Sequence, residues 1–580
     1  QFSGLSITTA NSNAIITINK AVTSSNNGQI FINNAGTVEI YGNLTTNSNS
    51  ITLGGGGTAK IILAANLSSQ SGTINIQNPV DFLGNISVQA NGGAVSFGQA
   101  VNSYVNQTSN LTLTGFDFST FTFNGPVGGA NPLGNLVIQS SKGVAINSSL
   151  NAGNLTVVDS SDNSVVSIKG NLLLTGNLLT QNTAVGKYSL MLVGANNQVN
   201  GTTELNHQLD TVLGNLNTST FLFSGDFSQI LGNSLTAQGS IIAGKGFTVA
   251  SKFVVGGNNV GQVTLDLSSS SLLNDQIDVQ PNERIIKNGN GELRFITNTS
   301  RLYQGSLNIN AGSVVVLDDF SSILSTSISG GTLSGNGILG PVSGFSGTVS
   351  PGDPSGSITL ANTSMNNLFT LGLGLGASGG NDSLVINGSL AINNATLSLS
   401  TGSNLVQGST ITIIQNDGSD AVNGTFSGLP EGSSFTSGAY IFQISYKGGT
   451  GGNDVTLKVI GAPATPVVQG IMQAFATAAD ADGGPMVTVN YPNGKTVSFW
   501  AYDPSFKGGV RIAMGDVNGD NYTDLITAVG AGGGPHIKIW NLNVPTSQVP
   551  MEVASFYAFE SIFTGGLFVA VGKINSDNFA

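Results

Sequence analysis

The chain has 580 residues, 8% of them charged, and a formal net charge of −12, so it is long enough for two or three domains with sizeable cores. Charged residues form no basic run or stripe, so nucleic-acid binding is not expected. No apolar run approaches the roughly 18 residues of a membrane-spanning helix, so no transmembrane segment is predicted. The absence of cysteine excludes disulfides and thiolate metal sites.

The composition predicts an all-β protein. Long helices usually carry Glu, Lys, Arg and Ala on their exposed faces, and most of these residues are scarce here. Val, Ile, Thr and Asn instead recur in short alternations, with 80 glycines between them. Alternation with a period of two is the pattern of short strands joined by tight turns.

Residues 1–280 repeat one short motif, Gly-Asn followed by Leu or Ile. Copies start at Gly42, Gly84, Gly134, Gly153, Gly170 and Gly214. The steps from Gly134 to Gly153 and on to Gly170 are 19 and 17 residues, and a further copy at Gly176 falls out of step. A period of about 20 residues with two or three strands each predicts a β-solenoid, in which stacked coils share one core. The region is loosely similar to filamentous-haemagglutinin-type repeats.

The low charge agrees with such stacking. Equivalent side chains of neighbouring coils are about 4.8 Å apart, so a ladder of like charges would repel itself, whereas Asn and Thr ladders can hydrogen-bond along the stack. An array of β-sandwiches is the main alternative. A disordered Asn/Ser/Gly-rich segment is a further alternative, although Val, Ile, Leu and Phe recur regularly.

Residues 281–460 carry a second group of motifs. "GNGELRFITNTSRLYQGSLNINAGSVVVL" occupies 289–317 and "GGTLSGNGILGPVSGFSGTVSPGDPSGSITL" occupies 330–360. These resemble the autotransporter-associated β-strand repeat of bacterial surface proteins, and "YIFQISYKGGTGGNDVTLKV" (440–459) resembles the closing segment of such regions. The resemblance implies an elongated, right-handed parallel β-helix outside the cell. Within "SPGDPSG", Asp353 is expected to be a turn residue that caps its own backbone.

A linker and an internal repeat follow. Two prolines and small residues in 461–470 predict the linker. Within 471–580, "GGPMVTVN" at Gly483 returns as "GGPHIKIW" at Gly533, and "FWAYDPSFKGGV" at Phe499 returns as "FYAFESIFTGGL" at Phe556. A repeat of this length, with four short strands, suggests a propeller blade.

The loop "GDVNGDNYTDL" lies inside this repeat and predicts a calcium site. Side-chain oxygens stand at Asp516, Asn518, Asp520 and Asp524, and Tyr522 would add its backbone carbonyl. Alternate oxygens on a tight loop converge on one point, and Ca²⁺ takes 6–8 oxygen ligands. The loop resembles the calcium loop of FG-GAP repeats, the blades of integrin-type propellers. The alternative is an Asp/Asn-rich hairpin turn without metal.

A second copy of this loop begins at Lys573, followed by Asn575 and Asp577. A lysine at the first ligand position favours a site without calcium, in which the ammonium group would replace the cation. Because the repeat is incomplete, we expect either a longer polypeptide or further blades from neighbouring molecules.

No catalytic constellation is evident, so the chain is not expected to be an enzyme. Carboxylates in residues 1–460 are mostly isolated, whereas glycan-cleaving sites need them clustered. His207 is expected at the surface or in a turn, and His536 belongs to the repeat motif.

The expected function is that of an extracellular structural protein, a subunit of a cell-surface fibre, sheath or surface layer. Its calcium-stabilised C-terminal repeats would mediate assembly contacts, so self-association is the expected partnership. The alternative is a surface adhesin that binds glycans or other cells, and a polysaccharide-degrading enzyme is a third reading. Surface localisation requires that a signal peptide has already been removed, because the N-terminus lacks the features of one.

Overall fold

The structure of this chain is a computed structural model. It describes residues 3–25, 28–55, 60–116, 118–181, 186–256, 260–296, 303–376, 380–461, 474–491, 494–519, 522–544 and 549–572. The chain divides into two compact units, Gln1–Ala462 and Pro463–Ala580. Within the described residues the regular structure is all strand, and no helix is long and apolar enough to cross a bilayer.

The first unit is a parallel β-solenoid of about 17 turns, counted over the described part of residues 5–401. Each turn contributes short strands to three columns, and strands of successive turns pair in parallel. The first column is a sheet of 13 strands. They are Leu5–Thr9, Ile30–Asn34, Ile51–Leu53, Ile74–Ile76, Val95–Phe97, Phe121–Phe123, Val144–Ile146, Ser164–Ile168, Tyr188–Leu192, Thr211–Leu213, Ser234–Ala237, Lys252–Val255 and Ile277–Asp278.

The second column begins with five strands and continues, through bridges at Val127 and Leu150, into eight more. The first five are Ile15–Ile18, Thr37–Ile40, Ile61–Leu63, Val80–Phe82 and Val101–Ser103. The later ones are Leu172–Leu174, Asn196–Val199, Thr220–Phe223, Gly239–Ala243, Gln262–Leu267, Arg284–Asn288, Ser306–Ile309 and Ser325–Ile328.

The third column runs the length of the solenoid. Its strands are Val22–Ser24, Leu44–Thr46, Leu67–Ser69, Ile86–Ala90, Leu111–Thr114, Leu133–Ser140, Leu150–Val157, Leu178–Thr180, Thr203–Leu205, Phe227–Gln229, Phe247–Val249, Ser271–Leu273, Glu292–Phe295, Ser313–Val316, Thr332–Gly335, Gly347–Pro351, Phe369–Leu375 and Thr396–Thr401. The column passes residue 280 without a break, because Ser271–Leu273 pairs with Glu292–Phe295. The predicted boundary at residue 280 therefore separates two kinds of sequence motif within one continuous column of strands.

The last turns contain longer strands that continue the second column, because Ser325–Ile328 pairs with Ile338–Gly344. Ile338–Gly344, Ser357–Met365 and Ser383–Asn393 are the three long ones, and Asp319–Phe320, Thr410–Asn416 and Asn423–Thr425 pair with them.

The core consists of the inward-facing residues of every turn. Ile30, Ile51, Ile74 and Val95 occupy equivalent register positions in the first column and are fully buried. Alternate residues of a strand point to opposite faces, so the residue between two inward positions faces outward. Burying one such aliphatic side chain contributes roughly 1.5–3 kcal/mol, and stacked turns repeat the gain along one continuous core.

Asparagines form the neutral ladder that the composition predicts. Asn110 Nδ2 donates to Asn85 Oδ1 at 2.7 Å, and Asn110 Oδ1 accepts from the backbone N–H of Asn135 at 2.7 Å. Asn154 Nδ2 then donates to Asn135 Oδ1 at 2.7 Å, and Asn154 Oδ1 accepts from the N–H of Asn177 at 2.6 Å. One corner of the solenoid is thus bonded from turn to turn through uncharged amides.

The structure corrects the predicted register of the Gly-Asn motif. Gly176 lies in step, because its N–H donates to the carbonyl of Gly153 at 2.7 Å, whereas Gly170 lies at another corner, bonded to Ser148. The period varies: Asn154 is 19 residues from its ladder partner Asn135, and Asn177 is 23 residues from Asn154. Loops of different length at the other corners of each turn account for the irregular spacing of the motif in the sequence.

Antiparallel strands close the solenoid after its last turns. Thr410–Asn416 pairs with Asp454–Gly461, which pairs with Tyr440–Gly448, and that strand pairs with Ser434–Ser437. All three pairings are antiparallel. These strands include the predicted closing segment, and Phe442, Ile444 and Val455 are fully buried.

Asp353 lies in the turn between Gly347–Pro351 and Ser357–Met365, as expected, and it also makes a contact that was not predicted. Its carboxylate forms an ion pair with Arg294, which also bonds Glu292 at 3.1 Å. Arg294 and Asp353 are 59 residues apart in the chain, so the motif around Asp353 alone could not indicate the contact.

The second unit contains two antiparallel sheets. The first sheet consists of Phe475–Ala478, Met486–Asn490 and Thr496–Trp500, and the second of Val510–Gly515, Asp524–Val529, His536–Asn541 and Met551–Tyr557. The rings of Phe499 and Trp540 pack edge to face with centroids 4.7 Å apart. Tyr502 Oη lies 2.8 and 3.0 Å from the carbonyl oxygens of Thr527 and His536, either of which can accept its hydrogen. The two sheets share a small core.

Candidate metal site in the C-terminal unit

The predicted calcium loop joins the first two strands of the four-stranded sheet. Gly515 and Asp524 are the last paired residues of the antiparallel hairpin formed by Val510–Gly515 and Asp524–Val529. The pairing brings Asp516 and Asp524, the first and ninth positions of the predicted site, to the base of one loop. Strand pairing is thus the physical reason why residues eight apart in the chain lie on the same turn.

Hydrogen bonds fold the loop back onto these two carboxylates. Asp516 Oδ1 accepts from the N–H of Gly519 at 2.8 Å, and Asp524 Oδ2 accepts from the N–H of Val517 at 3.0 Å. Asn518 Nδ2 donates to Asp524 Oδ1 at 3.3 Å. The side chain at the third position therefore reaches the carboxylate at the ninth.

The residues described fit a hard cation. All their side-chain ligand atoms would be oxygens, the set that Ca²⁺ prefers. Asp524 is fully buried, and a buried carboxylate is costly unless donors or a cation compensate its charge. The amide of Asn518 would have to rotate to present its oxygen in place of its nitrogen. A bound cation would neutralise the carboxylates and hold the hairpin closed.

The complete predicted set cannot be assembled from the described residues. Asp520 lies outside them, as do Lys573, Asn575 and Asp577 of the second copy. Tyr522 is described, and its side chain is 57% exposed. Among the described residues no group of three or more His, Cys, Asp or Glu is placed to hold a metal. The set Asp516, Asn518, Asp520, Tyr522 and Asp524 therefore stays a prediction.

His207 is buried rather than exposed, so its expected surface position is wrong. Its Nδ1 lies 3.0 Å from Thr180 Oγ1 and its Nε2 3.1 Å from Thr211 Oγ1. Its ring stacks on Tyr188 with centroids 5.2 Å apart. Burial lowers the pKa of His207 to about 4. This histidine is a neutral, hydrogen-bonded part of the solenoid core.

Lys287 is also buried, and the sequence analysis did not predict this. Its Nζ donates to the carbonyls of Asn288, Gly289 and Ala311 at 2.6, 2.8 and 3.3 Å. Burial lowers the pKa of Lys287 to about 8, so the ammonium persists at neutral pH. The alternation in "RIIKN" places Lys287 on the inward side with Ile285, and this signal could have identified it.

The described fold defines the first unit as a β-solenoid and the second as a pair of small antiparallel sheets. Comparison with protein-family models finds no model that matches the chain, and comparison with curated proteins finds no match either. The resemblances to autotransporter-associated and FG-GAP repeats therefore rest on the sequence motifs alone.

Proposed function

We propose that this chain is an extracellular structural protein, a subunit of a fibre, sheath or surface layer at the cell surface. Residues 281–460 would be an autotransporter-like part of a right-handed β-helix. The repeats of residues 471–580 would be FG-GAP-like propeller blades that bind calcium and make the assembly contacts.

The observation that carries the proposal is the neutral ladder of Asn85, Asn110, Asn135, Asn154 and Asn177. It gives the solenoid turn-to-turn bonding without charge. A side surface with few charges can pack against a neighbouring molecule with little desolvation cost, because burying ionised groups is expensive. Length from stacked turns and a corner bonded through uncharged amides both favour the role of a subunit in an ordered assembly.

The proposed calcium contribution rests on the loop between Asp516 and Asp524. The four-stranded sheet is small, and small folds commonly depend on a metal or other cross-link for stability. A calcium ion held by the loop would fix the hairpin, and with it the position of the sheet surfaces available for contact.

Negative-stain images of the native assembly, taken with calcium and after chelation by EGTA, test this function. We expect filaments or a lattice with calcium and their loss after chelation. The Asp516→Asn variant should assemble poorly even with calcium, whereas Asp503→Asn, an exposed carboxylate in the same unit, should behave like the wild type.

Each other outcome has a definite meaning. Intact monomers that lose binding to cells or glycans on chelation would support the adhesin instead. Assemblies unchanged by EGTA and by Asp516→Asn would show that calcium does not control assembly. Bond cleavage on a panel of polysaccharides would overturn the structural function in favour of an enzyme.

A further inference from the structure

The internal repeat of the second unit appears in its backbone hydrogen bonds as well as in its sequence. In the first copy, the N–H groups of Asp482, Ala501 and Val510 donate to the carbonyls of Lys507, Pro485 and Ala479. In the second copy, the N–H groups of Gly532, Ala558 and Leu567 donate to the carbonyls of Thr564, Pro535 and Val529. The three bonds join equivalent residues, so the two copies fold in the same way.

The first copy uses one side of its sheet to pack on the second sheet. Val487 and Val489 are fully buried there, and Phe499 is 7% exposed against Trp540. Tyr502, just beyond the last strand, bonds the carbonyls of Thr527 and His536. A sheet of this design therefore buries one apolar side by placing it on a following sheet.

Among the described residues, no sheet covers the equivalent side of the second copy. Ile537, Ile539 and Phe556 correspond to Val487, Val489 and Phe499, and they share one side of the four-stranded sheet because Ile537 pairs with Phe556. We call this side the open face. Phe556 is 47% exposed and Ile537 and Ile539 are half-buried. Phe559, the counterpart of Tyr502, is 61% exposed beside it.

The first sheet has an exposed apolar side of its own. Met486 pairs with Trp500, and both point away from the shared core, as does Phe475. We call this side the Trp500 face. The three side chains are 41%, 48% and 59% exposed. They correspond to His536, Tyr557 and Leu525, which lie on the side of the second sheet that receives the first. The open face thus corresponds to the side of the first sheet that packs on the second sheet. The Trp500 face corresponds to the side of the second sheet that receives it.

We propose that a second copy of this chain docks its Trp500 face onto the open face, repeating between molecules the packing of the first sheet on the second. Because the two faces differ, the contact is head-to-tail. A head-to-tail contact generates a ring if the rotation closes and a filament if it does not. This inference rests on the proposed function and identifies the surfaces that would serve its assembly contacts.

Mixing two variants of the full-length chain tests the contact. Phe556→Glu disables the open face and Trp500→Glu disables the Trp500 face, whereas Phe118→Glu, at an exposed residue of the solenoid, is the matched control. Light scattering coupled to gel filtration in calcium buffer measures the mass of each species. The wild type and the control should grow beyond the 58.9 kDa monomer as concentration rises. Each single variant should associate about 30-fold or more weakly.

The mixture gives the distinctive result. Each variant retains the face that the other lacks, so an equimolar mixture should form a dimer that grows no further. If the mixture stays monomeric, the head-to-tail contact is wrong. If the wild type assembles and both variants assemble equally well, these faces are wrong while the structural function stands. If the wild type stays monomeric, both the contact and proposed self-assembly fail. Should the Glu variants lose their circular dichroism spectrum, Phe556→Thr and Trp500→Thr replace them, since threonine suits a strand.

Discussion

His207 shows how a single buried residue makes the solenoid sensitive to pH. Its two ring nitrogens are hydrogen-bonded to the hydroxyl groups of Thr180 and Thr211, and its ring stacks on Tyr188. Desolvation by burial has the largest effect on its pKa and lowers it, whereas Asp210 raises it through a backbone hydrogen bond and through its charge. The imidazole is therefore neutral in the folded state at pH values where an exposed histidine already carries a proton.

We expect the solenoid to lose stability as the pH falls from about 6.5 to 4. The unfolded chain binds a proton at His207 near pH 6.5, whereas the folded chain binds it near pH 4. In that window the unfolded state holds more protons, so the free energy of unfolding decreases with falling pH, by about 3 kcal/mol in total. Thermal unfolding midpoints followed by circular dichroism between pH 7 and 4 measure the effect.

The His207→Gln variant is the control for the carboxylates that titrate in the same range. It should have a flatter dependence on pH than the wild type, whatever its absolute stability. Parallel curves for the two proteins would show that His207 does not carry the effect. The sequence around His207 could not predict this role, because its partner Thr180 is contributed by the preceding turn.

At the scale of elements, the Asn ladder depends on the absence of charge. The amide nitrogen of Asn154 donates to Asn135 Oδ1, and its oxygen accepts from the N–H of Asn177. Replacing this side chain by an isosteric carboxylate changes one atom and converts a donor into an acceptor. The ladder therefore offers a direct test of why so few carboxylates occur in the solenoid.

The Asn154→Asp variant should be less stable than the wild type by about 1–3 kcal/mol at pH 7, because two oxygens would face each other where a hydrogen bond now stands. Part of the loss should return near pH 3, since the protonated carboxyl group can again donate. Denaturant midpoints at the two pH values measure both effects.

Asn13→Asp makes the same chemical change at an exposed residue outside the ladder and should shift stability by less than about 0.5 kcal/mol. Equal effects at the two positions would contradict the importance of the ladder. The sequence predicted neutral ladders correctly, because the period and the polar composition both indicated them. The prediction that Gly176 falls out of step was wrong. Turns of 19 and 23 residues give the motif an irregular spacing in the sequence, although strand pairing aligns its copies in the fold.

At the scale of the whole molecule, each solenoid turn contacts mainly the turns before and after it. Stability of such a fold is close to a sum of turn energies and nearest-neighbour interfaces. A complete turn should therefore be removable, provided that the columns re-pair in register.

Deleting residues 135–153 removes one turn, since Asn135 and Asn154 are ladder partners 19 residues apart. The shortened chain should keep a β-type circular dichroism spectrum and a cooperative unfolding transition, because Asn154 then takes the place of Asn135 beside Asn110. Deleting only 135–143 should be far more destabilising and should break the single cooperative transition, since it removes most of the third-column strand Leu133–Ser140 but keeps Val144–Ile146 of the same turn. Equal behaviour of the two deletions would contradict the turn-by-turn description.

The sequence predicted the broad architecture because strand alternation and repeated glycine turns are local signals. Contacts between distant turns were not predictable in this way: the Arg294–Asp353 ion pair joins residues 59 apart. For the candidate calcium loop, the spacing of its oxygens indicated the residues, and the Gly515–Asp524 pairing explains how the loop brings its two ends together. The contribution of Asp520 remains a sequence-based prediction.

The antiparallel strands that follow the last turns also limit the addition of further β-strands to the solenoid. The last strand of a parallel stack presents unpaired N–H and C=O groups. A strand from another molecule can pair with them, and repeated pairing of this kind leads to aggregation. Here Asp454–Gly461 runs antiparallel to Thr410–Asn416 and occupies that edge. Its own other edge is paired with Tyr440–Gly448, so no incoming coil can pair there. The edge of the stack at Thr410–Asn416 is therefore closed to templated addition of another coil.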